Sequence, residues 1–250
     1  MKRALVVGGT RGLGASLVIK LLEKWNVVLA TGRSESVEAA RDNPRFSGAE
    51  LATIDLSNPV LASTIMLNLA EMHGPFDYVF WNAGIWLHKY LMVCSNDEII
   101  DMINVHNLSM VLSLREFHSF TKLQPKTRTF PFGHPYHLVV ISSTSAYRLR
   151  QDEDVYCMVQ AGKSAFTRNF GKRIIEDLPG SAVTLVQPAG MDTGFFSGKR
   201  DTSMYMDPDR VADIILTRMG VGITKPWDDY RIERDDRGNP IVKEDPALPE

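Results

Sequence analysis

The chain is poor in several things, and each shortage excludes a class of protein. Its 250 residues include two cysteines, Cys94 and Cys157. They have neither a metal-ligand spacing nor a disulfide framework, so a reducing, cytoplasmic compartment is expected. No apolar run approaches the ~20 residues that a membrane-spanning helix needs. The opening MKRALVVGG does set two basic residues before an apolar run. That run is too short and glycine follows at once, so it reads as a strand and not as a signal peptide. Charge of one sign is also lacking: 28 lysines and arginines face 30 acids, a net of −2. That balance gives no electrostatic case for nucleic acid or for an anionic membrane. The six histidines are scattered; His134 and His137 flank a proline and a tyrosine, no ligand set forms, and no metal is expected. No repeat of solenoid period is visible.

What is present is a core. At 44% hydrophobic residues, the chain is long enough to bury one, and a single α/β domain is expected. Strand candidates fall at residues 4–7, 27–30, 50–54, 78–81, 137–141 and 182–186. They are mostly Val, Ile, Leu and aromatic, not alternating, as suits strands covered on both faces. Helical stretches at 13–24, 59–72 and 97–120 lie between them. This alternation predicts right-handed crossovers and a Rossmann-type, doubly wound parallel sheet with helices on both faces. Residues 124–137, with three prolines and a glycine, read as a loop. The domain is expected to span residues 1–223. Residues 224–250 are polar and read as an extension with two short strands around a turn, either a solvated hairpin or loose tail or an interface element.

The glycines at 8, 12 and 14 follow the first strand directly and open a helix. Glycine there lets the backbone turn tightly and approach a phosphate, whose charge meets the helix N-terminus. Gly8, Thr10, Arg11, Gly12, Leu13 and Gly14 are therefore the expected phosphate loop. The second strand, in NVVLATGRS, ends without the acid that NAD-binding folds place on the ribose 2′-hydroxyl. It ends in Arg33, and Arg11 sits in the loop itself. Two guanidinium forks converging there suit a 2′-phosphate, which predicts NADP(H). Asp55, followed by Leu56 in TIDLS, is expected either to accept from the adenine amino group or to cap the helix after Ser57.

With GGTRGLG at 8–14, NAG at 82–84, INV around Asn104, ISS at 141–143, Tyr156 and PAGMDT at 188–193, the chain resembles the short-chain dehydrogenase/reductase family over nearly its whole length. The resemblance implies a tyrosine that handles the proton of the substrate oxygen, Tyr156. It implies a serine that holds the same oxygen, Ser143, thirteen residues earlier, and an asparagine that supports a water relay, Asn104. Asn82, Ala83 and Gly84 match the turn that lines the cofactor; Pro188 and Thr193 match positions near the carboxamide, with Ala189 where glycine is usual. The family's lysine, four residues after the tyrosine, is here Gln160. A phenol with its usual pKa of ~10 needs a nearby positive charge to act as a base at neutral pH, and a neutral amide supplies none. The departure should therefore hurt alcohol oxidation more than carbonyl reduction. Lys163 lies roughly 10 Å along the helix from Tyr156. It reads as a surface lysine, against the alternative that it supplies the missing charge.

Trp86, Tyr90, Tyr147, Met191, Phe195 and Phe196 fall on loops after strand C-termini, where open α/β sheets place substrates. They suggest an apolar or aromatic carbonyl compound, or its alcohol, as the small-molecule partner. Acids at 152–154 are expected to favour the dipole of the helix at 155–176. The Met-rich TSMYMD at 202–207 reads as either a lid or packing. Small residues Ala161, Gly162 and Ala165 would allow close helix contact and a homodimer or homotetramer. The competing function is a non-catalytic NADP(H)-binding sensor or interaction protein. A nucleotide-dependent methyltransferase shares the first glycine turn but leaves NAG and the Ser–Tyr spacing unexplained.

Overall fold

Apolar runs that cannot be wetted on either side have only one place to go, the middle of a three-layer sandwich. The computed structural model describes residues 2–25, 27–124, 133–196, 201–220 and 225–244. Strands β1 (Arg3–Val7), β2 (Val27–Gly32), β3 (Glu50–Thr53), β4 (Tyr78–Trp81), β5 (His137–Ile141), β6 (Ala182–Pro188), β7 (Trp227–Arg234) and β8 (Pro240–Glu244) form one sheet in the order β3-β2-β1-β4-β5-β6-β7-β8. All pairings are parallel except that of β7 with β8. Every residue of β4, β5 and β6 is buried, which explains why those segments show no alternation.

Helices α1 (Gly12–Leu22) and α7 (Pro208–Gly220) cover one face, over Val6, Val28 and Val139. Helices α3 (Pro59–His73), α5 (Ser109–Leu123) and α6 (Asp154–Asp177) cover the other, over Leu5, Leu29 and Val140. A short helix α2 (Ser34–Arg41) follows β2. The single long helix expected at 97–120 is three pieces. Helix α4 (Asn96–Ile103), capped by reciprocal bonds between Ser95 and Glu98, runs into a π-helical turn (Asn104–Leu108) and then into α5. A π turn inserts one residue and rotates the side chains that follow, a feature frequent at functional sites.

The stretch after residue 223 continues the main sheet. β7 pairs with β6 from Trp227 to Ile232, and a turn at 235–239 returns the chain as β8. Arg218 of α7 ties the two together through Asp228 and Glu244 and lies over the Tyr230 ring. In the 202–207 segment Met206 is fully buried and bridges to Met191, while Met204 is exposed. Of the loop expected at 124–137, residues 125–132 lie outside the described residues. Among the described residues no helix is long and apolar enough to cross a membrane.

The order of the strands reverses between β1 and β4: from β1 the chain moves outward to β2 and β3, then crosses back to β4 on the other side of β1. Crevices form at such switch points, outside the strand C-termini.

Candidate active site

A cleft of about 610 Å³ opens at that switch point, lined by the residues that follow β1 to β6. Its first wall is the turn after β1. Gly8 has φ +78°, and a Cβ on it would sit 2.6 Å from the Ala83 Cα. A Cβ on Gly14 would overlap the Gly8 carbonyl oxygen, so only glycine lets this loop fold onto the start of α1. Asn82 clamps the loop from β4, its amide donating to Gly8 O at 2.9 Å. The resulting cradle presents backbone at a helix N-terminus with space in front of it, which fits a dinucleotide diphosphate.

Thr10, Arg11, Gly12 and Leu13 line the cleft, as do Arg33 and Ser36 past the end of β2; Glu35 between them does not line it. Asp55 and Leu56 lie beside them. The Asp55 carboxylate accepts from Ser57 N at 2.9 Å, which settles its cap-like bond, while the N-cap of α3 is Asn58. Ala83 and Gly84 continue the floor; Gly14 supports it from behind. Pro188 and Thr193 close the far side, with the Thr193 methyl 3.3 Å from where a Gly12 Cβ would be.

At the inner end stand Ser143 and Tyr156. Both are buried and line the cleft. Burial raises the Tyr156 pKa well above the usual phenol value; the hydrogen bond with Ser143 opposes this, and the charge of Glu153 adds to it. The Arg150 charge also lowers it, by less. The phenol is therefore a proton donor at neutral pH. Trp86, Met191, Phe195 and Phe196 line the space in front of it, with the Phe195 ring centroid 6.3 Å from that of Tyr156. Tyr90 and Tyr147, expected there too, are exposed and do not line it.

Three expectations need correction. Asn104 does not line the cleft: its amide is turned to the Ser57 carbonyl at 3.1 Å. The π turn puts Val105 and His106 there instead, while Asn107 ties the turn to α6 by donating to Val159 O at 2.9 Å. Glu153, read as a dipole partner, is buried in the cleft wall and takes bonds from Trp86 Nε1 at 3.4 Å and Ser145 Oγ at 3.5 Å. Lys163, read as a surface residue, is 1% exposed and lines the cleft. Seven residues after Tyr156 is nearly two full turns, so both side chains face inward, and the flexible lysine stem spans the axial separation.

Gln160 lines the cleft as well, but its amide is engaged. Its Oε1 accepts from Ser142 Oγ at 3.1 Å and its Nε2 lies 3.2 Å from His106 Nδ1. His106 is fully buried, and burial, then the Lys163 charge, lowers its pKa to about 3. His106 Nε2 lies between two backbone groups of Ile85, 2.7 Å from its carbonyl oxygen and 3.1 Å from its N–H. In the neutral tautomer whose Nδ1 accepts from Gln160, Nε2–H donates to Ile85 O and the Ile85 N–H is left without that acceptor. Gly84 must stay bare, since a Cβ would lie 2.7 Å from His106 Cε1. No motif marked His106; only the offset made by the π turn brings it in.

A model of the short chain dehydrogenase family matches residues 2–203. An uncharacterized oxidoreductase of Staphylococcus aureus strain N315 is 22% identical over 217 residues, covering 86% of this chain and 89% of that protein. The 3-oxoacyl-[acyl-carrier-protein] reductase FabG of Salmonella typhimurium is 25% identical over 194 residues, 77% of this chain and 74% of its own. Among solved structures, the alcohol dehydrogenase of the archaeon Thermococcus sibiricus, complexed with 5-hydroxy-NADP, superposes with a TM-score of 0.76 at 22% identity, covering 93% of this chain and 96% of that one. The family match takes in every strand from β1 to β6 and the cleft loops as far as Phe196, and on that ground the chain belongs to the short-chain dehydrogenase family.

Proposed function

We propose that the protein is an NADP(H)-dependent oxidoreductase that reduces a small apolar or aromatic carbonyl compound, from a centre in which Gln160 stands at the family's lysine position. The observation that carries this reading is the buried pair of Ser143 and Tyr156 at the inner end of a cleft that begins as a glycine cradle. Arg11 and Arg33 beside an acid-free end of β2 support a cofactor with a 2′-phosphate. The Thermococcus neighbour, solved with an NADP derivative, agrees with it, and the Salmonella relative is named as a reductase.

The glycine cradle with Arg11 and Arg33 would hold the reduced dinucleotide, which would supply the hydride for a carbonyl carbon. Tyr156 donates the proton to the carbonyl oxygen, and Ser143 holds that oxygen in place. Trp86, Met191, Phe195 and Phe196 exclude water around an apolar substrate. Alcohol oxidation needs the phenolate, which burial disfavours. Assembly as a homodimer or homotetramer is part of the same reading: Ala161, Gly162 and Ala165 face outward on α6, and Ile100, Ile103 and Leu108 are exposed on the α4–α5 side.

The test is a fluorescence titration with NADPH and NADH, followed by NADPH oxidation against a panel of alkyl and aryl aldehydes and ketones. Turnover with any of them supports the reading. NADPH binding with no turnover anywhere favours the sensor, and no binding of either dinucleotide overturns both.

A further inference from the structure

Lys163 is fully buried, yet no carboxylate pairs with it among the described residues. Its ammonium donates to two carbonyls, Ala83 O at 3.1 Å and Ile141 O at 3.3 Å. Two neutral dipoles do not replace the water an ammonium gives up, and a methionine would fill the same channel without that penalty. A charge kept at such a place in a cleft marks a functional group.

Its position says what it meets. Ala83 follows Asn82, which clamps the glycine cradle, and Ala83 touches Gly8 of that cradle. Ile141 immediately precedes Ser142 and Ser143. The amine thus stands where the phosphate-binding part of the cleft passes into the part that holds Tyr156. The adenine end, at Arg33 and Asp55, is on the other side of the cradle. An ammonium has three donors, and two are used on the carbonyls. The third is left for an uncharged acceptor of the occupant, such as a sugar hydroxyl.

We propose that Lys163 holds the ribose of the nicotinamide half of the cofactor, reaching it from one turn farther along α6 than Gln160. The inference rests on the dinucleotide reading above. The role assigned to Lys163 is to hold the cofactor, on the ground of where its bonds to Ala83 O and Ile141 O place the amine. Gln160 then serves to orient His106 between the π turn and Ile85, and leaves the charge to Lys163.

Burial lowers the Lys163 pKa to about 7, so the free protein holds this amine half-neutral near neutral pH. Binding favours the protonated form, since only that form carries the third donor together with its charge toward the phosphates. NADPH binding therefore takes up a proton above pH 7. The dissociation constant should rise by up to about tenfold per pH unit from there, until the amine of the complex itself titrates. The groups that face Lys163 do not compete in this window. His106, on the π turn, is neutral, with its pKa lowered to about 3; Tyr156, on the same helix, has its pKa raised by burial and stays protonated. The other charged groups on the cleft wall are the carboxylates of Asp55, Asp101, Glu153 and Glu233 and the guanidinium groups of Arg11, Arg33, Arg148, Arg150 and Arg234, with no second amine among them. The cofactor's own phosphate titrates near pH ~6, below the window.

The experiment is a fluorescence titration of wild type, Lys163→Met and the double variant Lys163→Met/Gln160→Lys with NADPH, from about pH 7 to about pH 9, with melting temperatures recorded alongside. Lys163→Met should weaken NADPH about tenfold or more at pH 7 and flatten its pH dependence, with no loss of melting temperature. The double variant, with an amine returned four residues after Tyr156, should recover affinity. Wild-type affinity and an unchanged pH slope in Lys163→Met would overturn the assignment. Should Lys163→Met fail to fold, the wild-type slope decides, and a flat one overturns the inference by itself. A wild type that binds no NADPH overturns the cofactor reading, whereas normal binding with a flat slope overturns only the role of Lys163.

Discussion

Tyr156 and Lys163 share one helix and one cleft, and burial pushes their pKa values in opposite directions, each toward its neutral form. For Tyr156 the neutral form is the acid. Reduction therefore needs no change of its protonation state at neutral pH, while alcohol oxidation should climb with pH into the strongly alkaline range; initial rates in both directions across pH check this. Tyr156→Phe removes the donor and should lower carbonyl reduction by about 10²–10⁴-fold while NADPH still binds, as seen by titration beside single-turnover rates. At the other end of the cleft, Arg33→Asp should erase a preference for NADPH over NADH of about tenfold, or about 1.4 kcal/mol, and act mainly on NADPH. Equal affinities for the two cofactors in the wild type would contradict the role given to Arg11 and Arg33. Gln160→Lys should change turnover little, because the second ammonium enters a pocket where Lys163 already stands and displaces the amide from Ser142 and His106. A gain of an order of magnitude would mean that Lys163 does not serve.

At the scale of elements, the site is a set of strand ends held in register by loops that have no slack. The β1–α1 turn illustrates this best. Gly14→Ala drives a methyl into the Gly8 carbonyl oxygen and toward the Asn82 amide, so the loop must open. NADPH binding should be lost, with a drop in melting temperature that calorimetry would detect. The glycine pattern was legible in the sequence because the physical requirement is local: one strand, one turn, one helix start. The α4–π–α5 element was not. A continuous periodicity over 97–120 reads as one helix, and the extra residue of the π turn leaves no mark on composition. That single residue decides that His106 points into the cleft and Asn104 toward Ser57. On α6, a period of 3.6 put Tyr156, Gln160 and Lys163 near one face. It could not say that the lysine stem would run inward to Ala83 and Ile141.

For the molecule as a whole, the outward faces of α4–α5 and α6 matter most. Ile100, Ile103, Leu108 and Met158 are exposed there, around the small residues Ala161, Gly162 and Ala165. Light scattering at micromolar concentration should give at least a dimer, and Ala165→Arg should shift it toward monomer without changing NADPH affinity. Monomer alone in the wild type would remove this part of the proposal. The chain's order of strands and helices, its glycine cradle and the missing acid at the end of β2 were readable from the sequence, because each depends on neighbours within one strand–helix unit, whereas Ser143 and Tyr156 were singled out only by the family resemblance. The placement of residues 225–244 as the last two strands of the sheet was not, since their polar pattern fits either a hairpin or a tail until β6 offers an edge. The same holds for Lys163: sequence sets its distance from Tyr156 along a helix, but burial is a property of what packs against that helix. Only the meeting of α6 with the ends of β4 and β5 encloses the amine, strips it of water and brings its pKa to about 7.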